Sequence, residues 1–536
     1  MPGFDRPAET HSTRSMVIAR NGMVCTSQPL AAGTGLLLMR NGGNAFDAAV
    51  GAAAVLNVVE PMSTGLGGDM FALAWPAGEG RLVGLNGSGR SASTANTAHL
   101  RKKGLQAVPT YGADAVTVPG AFDGWVTLLA KYGKLPLEVV LADAIRYAEE
   151  GFPVSEVVAS NWEGALRHRE VPEFAATYLL RDGDSCRTPR TGESFRQPAL
   201  ACTLRALARG GVEEFYRGEL ARKIANYLQS KGSLIRLEDL ARHESTWVEP
   251  ISTEFGGYEV HELPPNGQGI VALEMLNILE GYDLESLGHN SADYLHLIAE
   301  AKKLAFLDRD RYVTDPGFRE LPVPTLLSKE YAARMRNRID PERRGSFPRS
   351  TLDTGSDTVY LCTADGEGNA VSFINSLFHG FGSGLVVPET GLCLQNRGAL
   401  FSLEEGHLNS LEPSKRPLNT IIPAMVTQGG RPWFCFGVMG GDMQPQGQVQ
   451  VFLNMAVFGM NPQEAGEAAR MCEVDGALAV ESGVSREAVE GLRAKGHRIV
   501  QSPGSFGGYQ GILMDRPGGV LYGASENRKD GCAVGY

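Results

Sequence analysis

Residues 357–378 read DTVYLCTADGEGNAVSFINSLF, a stretch that predicts a β-hairpin. The runs 358–364 and 370–378 are apolar and rich in β-branched and aromatic residues, and the turn formers DGEGN separate them. The preceding residues 339–357, IDPERRGSFPRSTLDTGSD, are polar, rich in Pro, Gly and Ser, and without apolar periodicity. A linker is therefore predicted to end at Asp357, immediately before a threonine that begins a buried strand.

Working outward from the hairpin, the chain carries both helical and strand-like patterns. The patterns predict helices at 30–40, 44–58, 137–150, 291–312 and 448–458, and a mostly helical region at 160–250. They predict further strands at 22–26, 71–75, 81–85, 418–427, 432–439 and 511–515, and a pair of strands on either side of Gly256-Gly257 within 253–263. This mixture indicates an α+β protein.

The composition is that of a folded globular protein. Of 536 residues, 43% are apolar and 21% are charged, so the chain can bury a large core. Lys and Arg number 50 against 61 Asp and Glu, and the net charge of −11 argues against nucleic acid as a partner. No apolar run approaches the length of a membrane span, and the first 20 residues lack a signal-peptide core. We therefore expect a cytoplasmic protein with no membrane partner.

Several common catalytic motifs are missing from the sequence. There is no GxxxxGK[ST] phosphate loop, no GxSxG nucleophile elbow and no HExxH zinc motif. The ten histidines lack the spacing of metal ligands, and the eight cysteines form no CxxC pair. We therefore expect no metal, no cofactor and no disulfide framework.

A linker followed by Thr358 fits the chemistry of an N-terminal nucleophile hydrolase. In such enzymes the precursor cuts its own chain before a Thr, Ser or Cys, and the freed residue supplies both nucleophile and base. An α-amine titrates at about 7.7–8 in model peptides, so part of it can accept the hydroxyl proton at neutral pH. Taken alone, a Thr that begins a strand is better explained by its β-propensity.

Several short sequence blocks, spread along the whole chain, support the hypothesis of an N-terminal nucleophile hydrolase. The sequence resembles the γ-glutamyltranspeptidase family over essentially its whole length. The blocks that carry the resemblance are 41–49 (NGGNAFDAA), 60–69 (EPMSTGLGGD), 118–120 (VPG), 132–137 (YGKLPL), 365–371 (DGEGNAV), 381–384 (FGSG) and 437–441 (GVMGG).

The resemblance implies a four-layer αββα sandwich of the N-terminal nucleophile hydrolase type. It implies self-cleavage between Asp357 and Thr358, which gives a large subunit, 1–357, and a small subunit, 358–536, in one intertwined domain. These two subunits would form a heterodimer, and the resemblance leaves open whether heterodimers pair into a heterotetramer. Thr358 is then the nucleophile.

Three further residues match the family's catalytic positions. Ser376 corresponds to a hydroxyl that supports the amine of the nucleophile, although a packed hydroxyl would explain it equally well. Gly440 and Gly441 correspond to the oxyanion hole, where consecutive backbone N–H groups face the reacting carbonyl oxygen. A simple turn is the alternative explanation for the two glycines.

The residues that would bind a γ-glutamyl group depart from the family pattern. The family holds the α-amine with amide and acidic side chains, and the matching positions here are Phe378, Arg397 and Leu400. A buried ammonium group without partners costs several kcal/mol. A substrate with a free α-amine is therefore disfavoured at this site.

The positions that face the substrate carboxylate are also changed. Asn419 and Thr420 replace a Ser-Ser pair and still offer donors, and Arg90 lies two positions after the expected family arginine. Arg397, with Arg90 as a second candidate, indicates an acyl group that carries a carboxylate. A surface ion pair is the simpler alternative for Arg397, and a structural role is equally open for Arg90.

The predicted function is a self-processing amidohydrolase that acts on a small, carboxylate-bearing acyl amide without a cofactor. The segments 394–398 (LQNRG) and 439–447 (MGGDMQPQG) resemble the family branch of oxamate amidohydrolase and related acylases. Two alternatives stay open at this point. One is a γ-glutamyl hydrolase or transpeptidase acting on glutathione or γ-glutamyl amides, and the other is an uncleaved relative that only binds a ligand.

Overall fold

Two antiparallel seven-stranded sheets form the centre of the molecule in a computed structural model. The structure describes residues 12–347, 357–474, 476–500, 506–515 and 518–536, with the backbone alone for Asp357. The sheet that contains the hairpin, called the hairpin sheet, has the strand order Cys532–Gly535, Gly22–Thr26, Asp357–Asp365, Ala370–Phe378, Asp69–Trp75, Val83–Gly87 and Thr246–Val248. The second sheet has the order Val17–Ala19, Val520–Ser525, Tyr509–Asp515, Arg431–Val438, Ala424–Gln428, Tyr258–Glu262 and Ile251–Phe255.

The predicted hairpin lies at the middle of its sheet. Tyr360 pairs with Ile374 and Leu361 with Phe373 in antiparallel register. Successive side chains of a strand point to opposite faces, so one face of the hairpin carries Leu361 and Phe373, and the other carries Tyr360 and Ile374. Both faces are buried, which explains why the two strands read as continuous apolar runs.

The two sheets pack face to face, and a helical layer covers each outer face. Helices Pro29–Arg40, Ala45–Val59 and Ala121–Tyr132 lie on the hairpin sheet. Helices Gly269–Leu279, Met443–Ala456 and Pro462–Glu467 lie on the second sheet, with Ala292–Tyr312 packed behind them. The four-layer αββα sandwich predicted from the resemblance is therefore confirmed.

The helix Ala45–Val59 shows how the sequence permits close packing in these layers. All fifteen of its residues are buried, and most of them are small. Asn44 caps the helix by accepting hydrogen bonds from the N–H groups of Phe46 and Asp47 at 2.9 and 3.2 Å. The small side chains let this helix lie directly on the hairpin strands.

The remaining elements surround these layers. The other α-helices are Thr97–Lys102, Leu137–Val140, Ala142–Glu150, Glu156–Trp162, Pro172–Tyr178, Pro198–Tyr216, Glu219–Ser230, Leu237–Ala241, Leu284–Leu287, Val323–Leu326, Lys329–Arg336 and Arg486–Ala494. Short 3₁₀ turns lie at Ala113–Ala115, Glu163–His168 and Arg397–Leu400. Small sheets are formed by Phe152–Pro153 with Ser194–Phe195, Leu180–Asp182 with Ser185–Arg187, Val386–Val387 with Leu392–Cys393, and Met471–Val474 with Ala477–Val480 and Ile499–Val500.

Four predicted elements differ from the observed ones, and one of them is the strand expected at 418–427, which is observed at Ala424–Gln428. The helix expected at 137–150 is interrupted at Leu141, whose ψ of −6° departs from the helical value. The helix expected to begin at 448 begins at Met443, because Pro445 is tolerated in a first helical turn. The strand expected at 81–85 lies at Val83–Gly87.

All eight cysteines are free, and five of them are buried. Part of the predicted linker, residues 348–356, lies outside the described residues. Within the described ranges, no helix combines the length and the apolar character needed to cross a membrane.

Candidate active site

Thr358 and Ser376 lie side by side at one end of the hairpin sheet. Thr358 is only 2% exposed, and its Oγ1 donates a hydrogen bond of 3.2 Å to Ser376 Oγ. Ser376 Oγ also accepts a hydrogen bond of 2.8 Å from the N–H of Phe378. The strand register is irregular between Asp357 and Val359, directly at Thr358. The two predicted hydroxyl residues are thus brought into contact.

Gly440 and Gly441 lie between a strand of the second sheet and the helix Met443–Ala456. Their φ angles are +114° and +53°, in the region that favours glycine. Their carbonyls accept hydrogen bonds from the following helix, whereas their N–H groups donate to no partner in the described part of the chain. Such a turn leaves two adjacent donors available for a ligand.

Arg397 is completely buried. The alternative interpretation, that it forms an ion pair on the surface, is therefore wrong. Its Nη1 donates a hydrogen bond of 2.7 Å to Thr420 Oγ1, and its guanidinium carbon lies 4.5 Å from the centroid of the Phe378 ring. Nε and Nη2 have no hydrogen-bond partner among the described residues. Burial lowers the pKa of Arg397 to about 10. A buried cation with open donors is suited to receive an anion.

Asp69 is the acidic neighbour of Arg397 and was not predicted as a site residue. Its Oδ2 lies 3.8 Å from Arg397 Nε and accepts a hydrogen bond of 3.1 Å from Asn419 Nδ2. Its Oδ1 accepts from Gly89 N–H at 2.9 Å and from Gln395 Nε2 at 3.1 Å. Burial raises the pKa of Asp69 to about 6, although Arg397 acts in the opposite direction. The available sequence signal was an acid at the boundary of a Gly-rich loop and an apolar strand.

Gln268 connects the Arg397 region to the glycine turn and was also missed. Its Nε2 donates to the carbonyl oxygens of Thr420 at 2.8 Å and Gly441 at 3.1 Å. Its Oε1 accepts a hydrogen bond of 3.0 Å from Arg309 Nη1. Thr420 therefore contacts the buried arginine through its hydroxyl and Gln268 through its carbonyl oxygen, and Gln268 extends this chain of contacts to Gly441.

The Gly-rich block 60–69 lies very close to the strand that carries Ser376, and this contact positions Asp69. A Cβ on Gly68 would lie 2.3 Å from the carbonyl oxygen of Ser376, so only glycine fits there. Asp69 pairs in register with Ser376, which fixes the acid beside the hydroxyl pair. Phe378 follows in the left-handed region, with φ +82° for a non-glycine residue. Phe378 and Leu400 are buried and apolar, as their sequence positions indicated.

Arg90 is not joined to this cluster. It is partly exposed, and its Nη1 is 3.5 Å from the carbonyl oxygen of Glu244. Its own carbonyl accepts from Val118 N–H at 3.0 Å. Within the described residues, Arg90 makes no hydrogen bond with Thr358 or Arg397.

A cavity of about 320 Å³ opens at Thr358. Both predicted subunits contribute to its wall, in which the described residues are Val157, Asn161, Thr358, Met439, Gly440, Glu481, Phe506, Gly507, Arg528 and Lys529. The threonine and the glycine turn therefore border a common space of the size that small ligands occupy.

A separate polar cluster contains two of the scattered histidines. His296 Nδ1 and His497 Nε2 are 2.7 Å apart, with Glu300 close by. The other nitrogen of His296 bonds the carbonyl oxygen of Asp340 at 2.8 Å, and Lys303 donates to Glu300 at 2.6 Å. Because these ligand atoms are already engaged with one another or with protein groups, the cluster is an internal polar network.

Comparison with known proteins agrees with this architecture. The family model described as γ-glutamyltranspeptidase matches residues 31–536. The glutathione hydrolase-like YwrD proenzyme of Bacillus subtilis (strain 168) is 40% identical, over 97% of this chain and 99% of the relative. The oxamate amidohydrolase proenzyme of Klebsiella pneumoniae subsp. pneumoniae is 36% identical, over 97% and 99%.

A solved structure extends the agreement to three dimensions. Cephalosporin acylase from Bacillus halodurans is 45% identical and has a TM-score of 0.91, with 99% of each chain covered. The two sequence relatives are both named as proenzymes, which are precursors that are processed. This chain therefore belongs to the γ-glutamyltranspeptidase family of self-processing amidohydrolases and acylases, and it is a hydrolase of amide bonds.

Proposed function

We propose that the chain cleaves itself between Asp357 and Thr358 and then hydrolyses small acyl amides whose acyl group carries a carboxylate. The observation that carries this proposal is the buried Arg397 guanidinium, whose Nε and Nη2 have no hydrogen-bond partner among the described residues and whose nearest acid, Asp69, lies 3.8 Å from Nε. Asp69, whose strand position pairs with Ser376, connects Arg397 to the hydroxyl pair, and Thr420 and Gln268 connect it to the glycine turn. The two chains, 1–357 and 358–536, would remain together as a heterodimer.

Maturation and turnover use the same hydroxyl in this proposal. In the precursor, Thr358 Oγ1 attacks the carbonyl carbon of Asp357, the peptide nitrogen leaves, and the resulting ester is opened by water. The new α-amine of Thr358 then accepts the Oγ1 proton when the hydroxyl attacks a substrate amide. Ser376 Oγ, 3.2 Å from Thr358 Oγ1, holds this hydroxyl in place.

The glycine turn supplies the electrostatic part of the reaction. The open N–H groups of Gly440 and Gly441 stabilise the oxyanion of the tetrahedral intermediate, and one such donor contributes about 3 kcal/mol in other hydrolases. The C–N bond then breaks, the amine leaves with the proton held by Thr358, and water hydrolyses the acyl-enzyme ester.

Arg397 selects the acyl group. A carboxylate can take both open donors in a bidentate pair, and Thr420 and Asn419 supply further polar contacts beside it. An ammonium group at the same place would face a buried guanidinium and the apolar side chains of Phe378 and Leu400. Short acyl groups with a terminal carboxylate, of the oxamate or glutaryl kind, therefore suit the site.

The rival substrate class is the γ-glutamyl group, and one observation favours it. Asp69 lies 3.8 Å from Arg397 and offers a carboxyl group that could receive an ammonium ion. The carboxyl group of Asp69 already accepts three hydrogen bonds, one from the N–H of Gly89 and two from the side-chain amides of Gln395 and Asn419. These existing partners weaken the alternative.

Two anilides that differ only in the α-amine separate the two substrate classes. We expect glutaryl-p-nitroanilide to show about tenfold higher kcat/KM than γ-glutamyl-p-nitroanilide, because only the latter places a cation beside Arg397. Release of p-nitroaniline measures both. Comparable kcat/KM values for the two anilides, or a higher value for the γ-glutamyl compound, would contradict the proposed acyl class and favour γ-glutamyl substrates.

Recognition of a carboxylate should depend on the ionisation of Asp69. The carboxyl group is neutral below its pKa of about 6 and competes for Arg397 once it is ionised above it. Inhibition by glutarate should therefore weaken about tenfold between pH 5 and pH 7.5. The Asp69→Asn variant has no carboxyl group to ionise at this position and provides the control. Glutarate itself ionises in the same way in both assays, so only the difference between the two proteins reports on Asp69. Equal pH profiles for the two proteins would contradict the assignment.

A further inference from the structure

The glycine turn at Gly440 and Gly441 is held in shape by groups outside it. The Gly440 carbonyl accepts a hydrogen bond of 2.8 Å from the N–H of Met443. The Gly441 carbonyl accepts one of 3.2 Å from the N–H of Gln444 and another of 3.1 Å from the side-chain amide of Gln268. Because glycine gives the backbone its widest conformational freedom, these bonds decide where the two N–H groups of the turn point.

The side chain of Gln268 is completely buried, and its amide uses both of its hydrogens. Nε2 donates one hydrogen to the Gly441 carbonyl and the other to the Thr420 carbonyl at 2.8 Å. The Thr420 hydroxyl in turn accepts a hydrogen bond of 2.7 Å from Arg397. A single amide group therefore joins the proposed acyl-binding residues to the glycine turn.

Arg309 determines the orientation of this amide. Its Nη1 donates a hydrogen bond of 3.0 Å to Gln268 Oε1, which turns Nε2 toward the two carbonyl oxygens. A guanidinium group accepts no hydrogen bond, so the flipped amide would place its NH2 group against a cation. Arg309 is completely buried and also pairs with Asp310 at 2.8 Å and with Asp442. Since Asp442 directly follows Gly441, the arginine holds both the glutamine and the end of the turn.

We propose that Gln268, oriented by Arg309, is a positioning residue for the oxyanion hole. It acts through the Gly441 carbonyl, whose hydrogen bond keeps the turn in the shape that leaves its two N–H groups open. Donors stabilise a developing oxyanion best when they are aligned before the reaction begins. Loss of the Gln268 amide should therefore lower kcat and leave KM nearly unchanged. This inference rests on the proposed function, because it assigns the support of the oxyanion hole named there.

Substitutions of similar size at Gln268 test this role. Gln268→Met and Gln268→Glu both lose the NH2 group, the first without adding a charge and the second with one. We expect each variant to be cleaved into two chains and to have a kcat about 100-fold below that of the wild type, with KM changed less than about threefold. The assay uses whichever of the glutaryl, γ-glutamyl and butyryl p-nitroanilides the wild type hydrolyses, so that the result is independent of the acyl class.

Gln450→Met is the matched control. Gln450 is also buried, and its Nε2 also donates to two carbonyl oxygens, those of Gln446 at 2.9 Å and Met471 at 3.0 Å. Neither carbonyl belongs to the glycine turn, so this variant should lose thermal stability as Gln268→Met does and yet keep its kcat. An equal loss of kcat in Gln450→Met would show that any buried amide has this effect, and it would overturn the proposal.

Two inhibitors provide a measurement that a role in stability alone would not change. 4-Boronobutyrate forms a bond between boron and Thr358 Oγ1, whose proton passes to the α-amine, and the tetrahedral anion places an oxygen at the glycine turn. Pentanoate has the same carboxylate and carbon chain, with a methyl group in place of the boronic acid. Gln268→Met should weaken inhibition by 4-boronobutyrate about 50-fold and change that by pentanoate less than about threefold. Equal weakening of both inhibitors would contradict a role at the oxyanion hole.

The outcomes distinguish this inference from the proposed function. If Thr358→Ala is inactive but both Gln268 variants keep the kcat of the wild type, the positioning role is wrong and the proposed function stands. If the Gln268 variants lose kcat on a γ-glutamyl or butyryl anilide while the glutaryl anilide is not hydrolysed, the positioning role holds and the proposed acyl class is wrong.

Arg309→Lys keeps the test decisive if both Gln268 variants remain uncleaved. It retains a positive charge beside Asp442 but loses the planar group that donates to the Gln268 amide. We expect kcat to fall about tenfold with KM unchanged, because the amide is still present but less firmly oriented. A kcat equal to that of the wild type in this variant would overturn the proposal.

Discussion

Thr358→Ala is expected to remain a single chain of 57.4 kDa on a denaturing gel and to lose turnover of acyl amides. The hydroxyl is needed twice, first to attack the Asp357 carbonyl and then to attack the substrate. Loss of a nucleophile in other hydrolases lowers kcat by on the order of 10⁶-fold, so no activity above background should be measurable with glutaryl-p-nitroanilide. Persistent turnover by this variant would refute the mechanism.

Thr358→Ala would lose activity both because the chain is not cleaved and because the nucleophile is missing. Two further variants help to separate these effects. Thr358→Ser keeps a hydroxyl and should yield two bands and measurable turnover. Ser376→Ala removes only the hydroxyl that accepts from Thr358 Oγ1, and it should give slower cleavage and a reduced kcat without abolishing either. If Ser376→Ala behaves as the wild type in both assays, the hydroxyl contact has only a packing role. One band near 57 kDa for a fully folded wild type would support the uncleaved, binding-only alternative.

Arg397→Met is expected to reduce kcat/KM for glutaryl-p-nitroanilide by about 100-fold, because a bidentate ion pair in a buried site is lost. Hydrolysis of butyryl-p-nitroanilide, which has no terminal carboxylate, should change far less. Methionine fills much of the volume of the arginine, which limits the cavity left behind. The ratio of the two rates measures carboxylate recognition independently of enzyme concentration.

Arg397→Lys is the matched control for charge. It keeps the cation but loses the fork that offers two parallel donors, so it should recover only part of the glutaryl activity. Equal losses on the glutaryl and butyryl anilides in Arg397→Met would show that the arginine maintains the structure rather than binding the acyl carboxylate. A thermal unfolding curve for each variant distinguishes these cases from simple misfolding.

The hairpin could be predicted because its information is local. Two apolar runs rich in β-branched and aromatic residues, and the five-residue turn between them, are both visible within residues 357–378. The start of the helix at Met443 could not, because Pro445 and two glutamines conceal the first turn from a propensity argument. The Leu141 break likewise depends on how the two short helices pack on their neighbours.

In the candidate site, too, some residues could be predicted from the sequence and others are recognised only in the folded structure. The resemblance identified Thr358 and Arg397 by position, but neither burial nor hydrogen-bond partners follow from position. Asp69 and Gln268 are separated from Arg397 by more than one hundred residues of sequence, and only the packed sheets bring them together.

The central claim is that one bond is cut to free Thr358 as the catalytic residue. Intact-mass spectrometry of the purified, active enzyme, combined with N-terminal sequencing, tests it directly. The account predicts two fragments that sum to the full chain plus one water, with Thr358 as the first residue of the smaller one. A fully active preparation in which the Asp357–Thr358 bond is intact would contradict it.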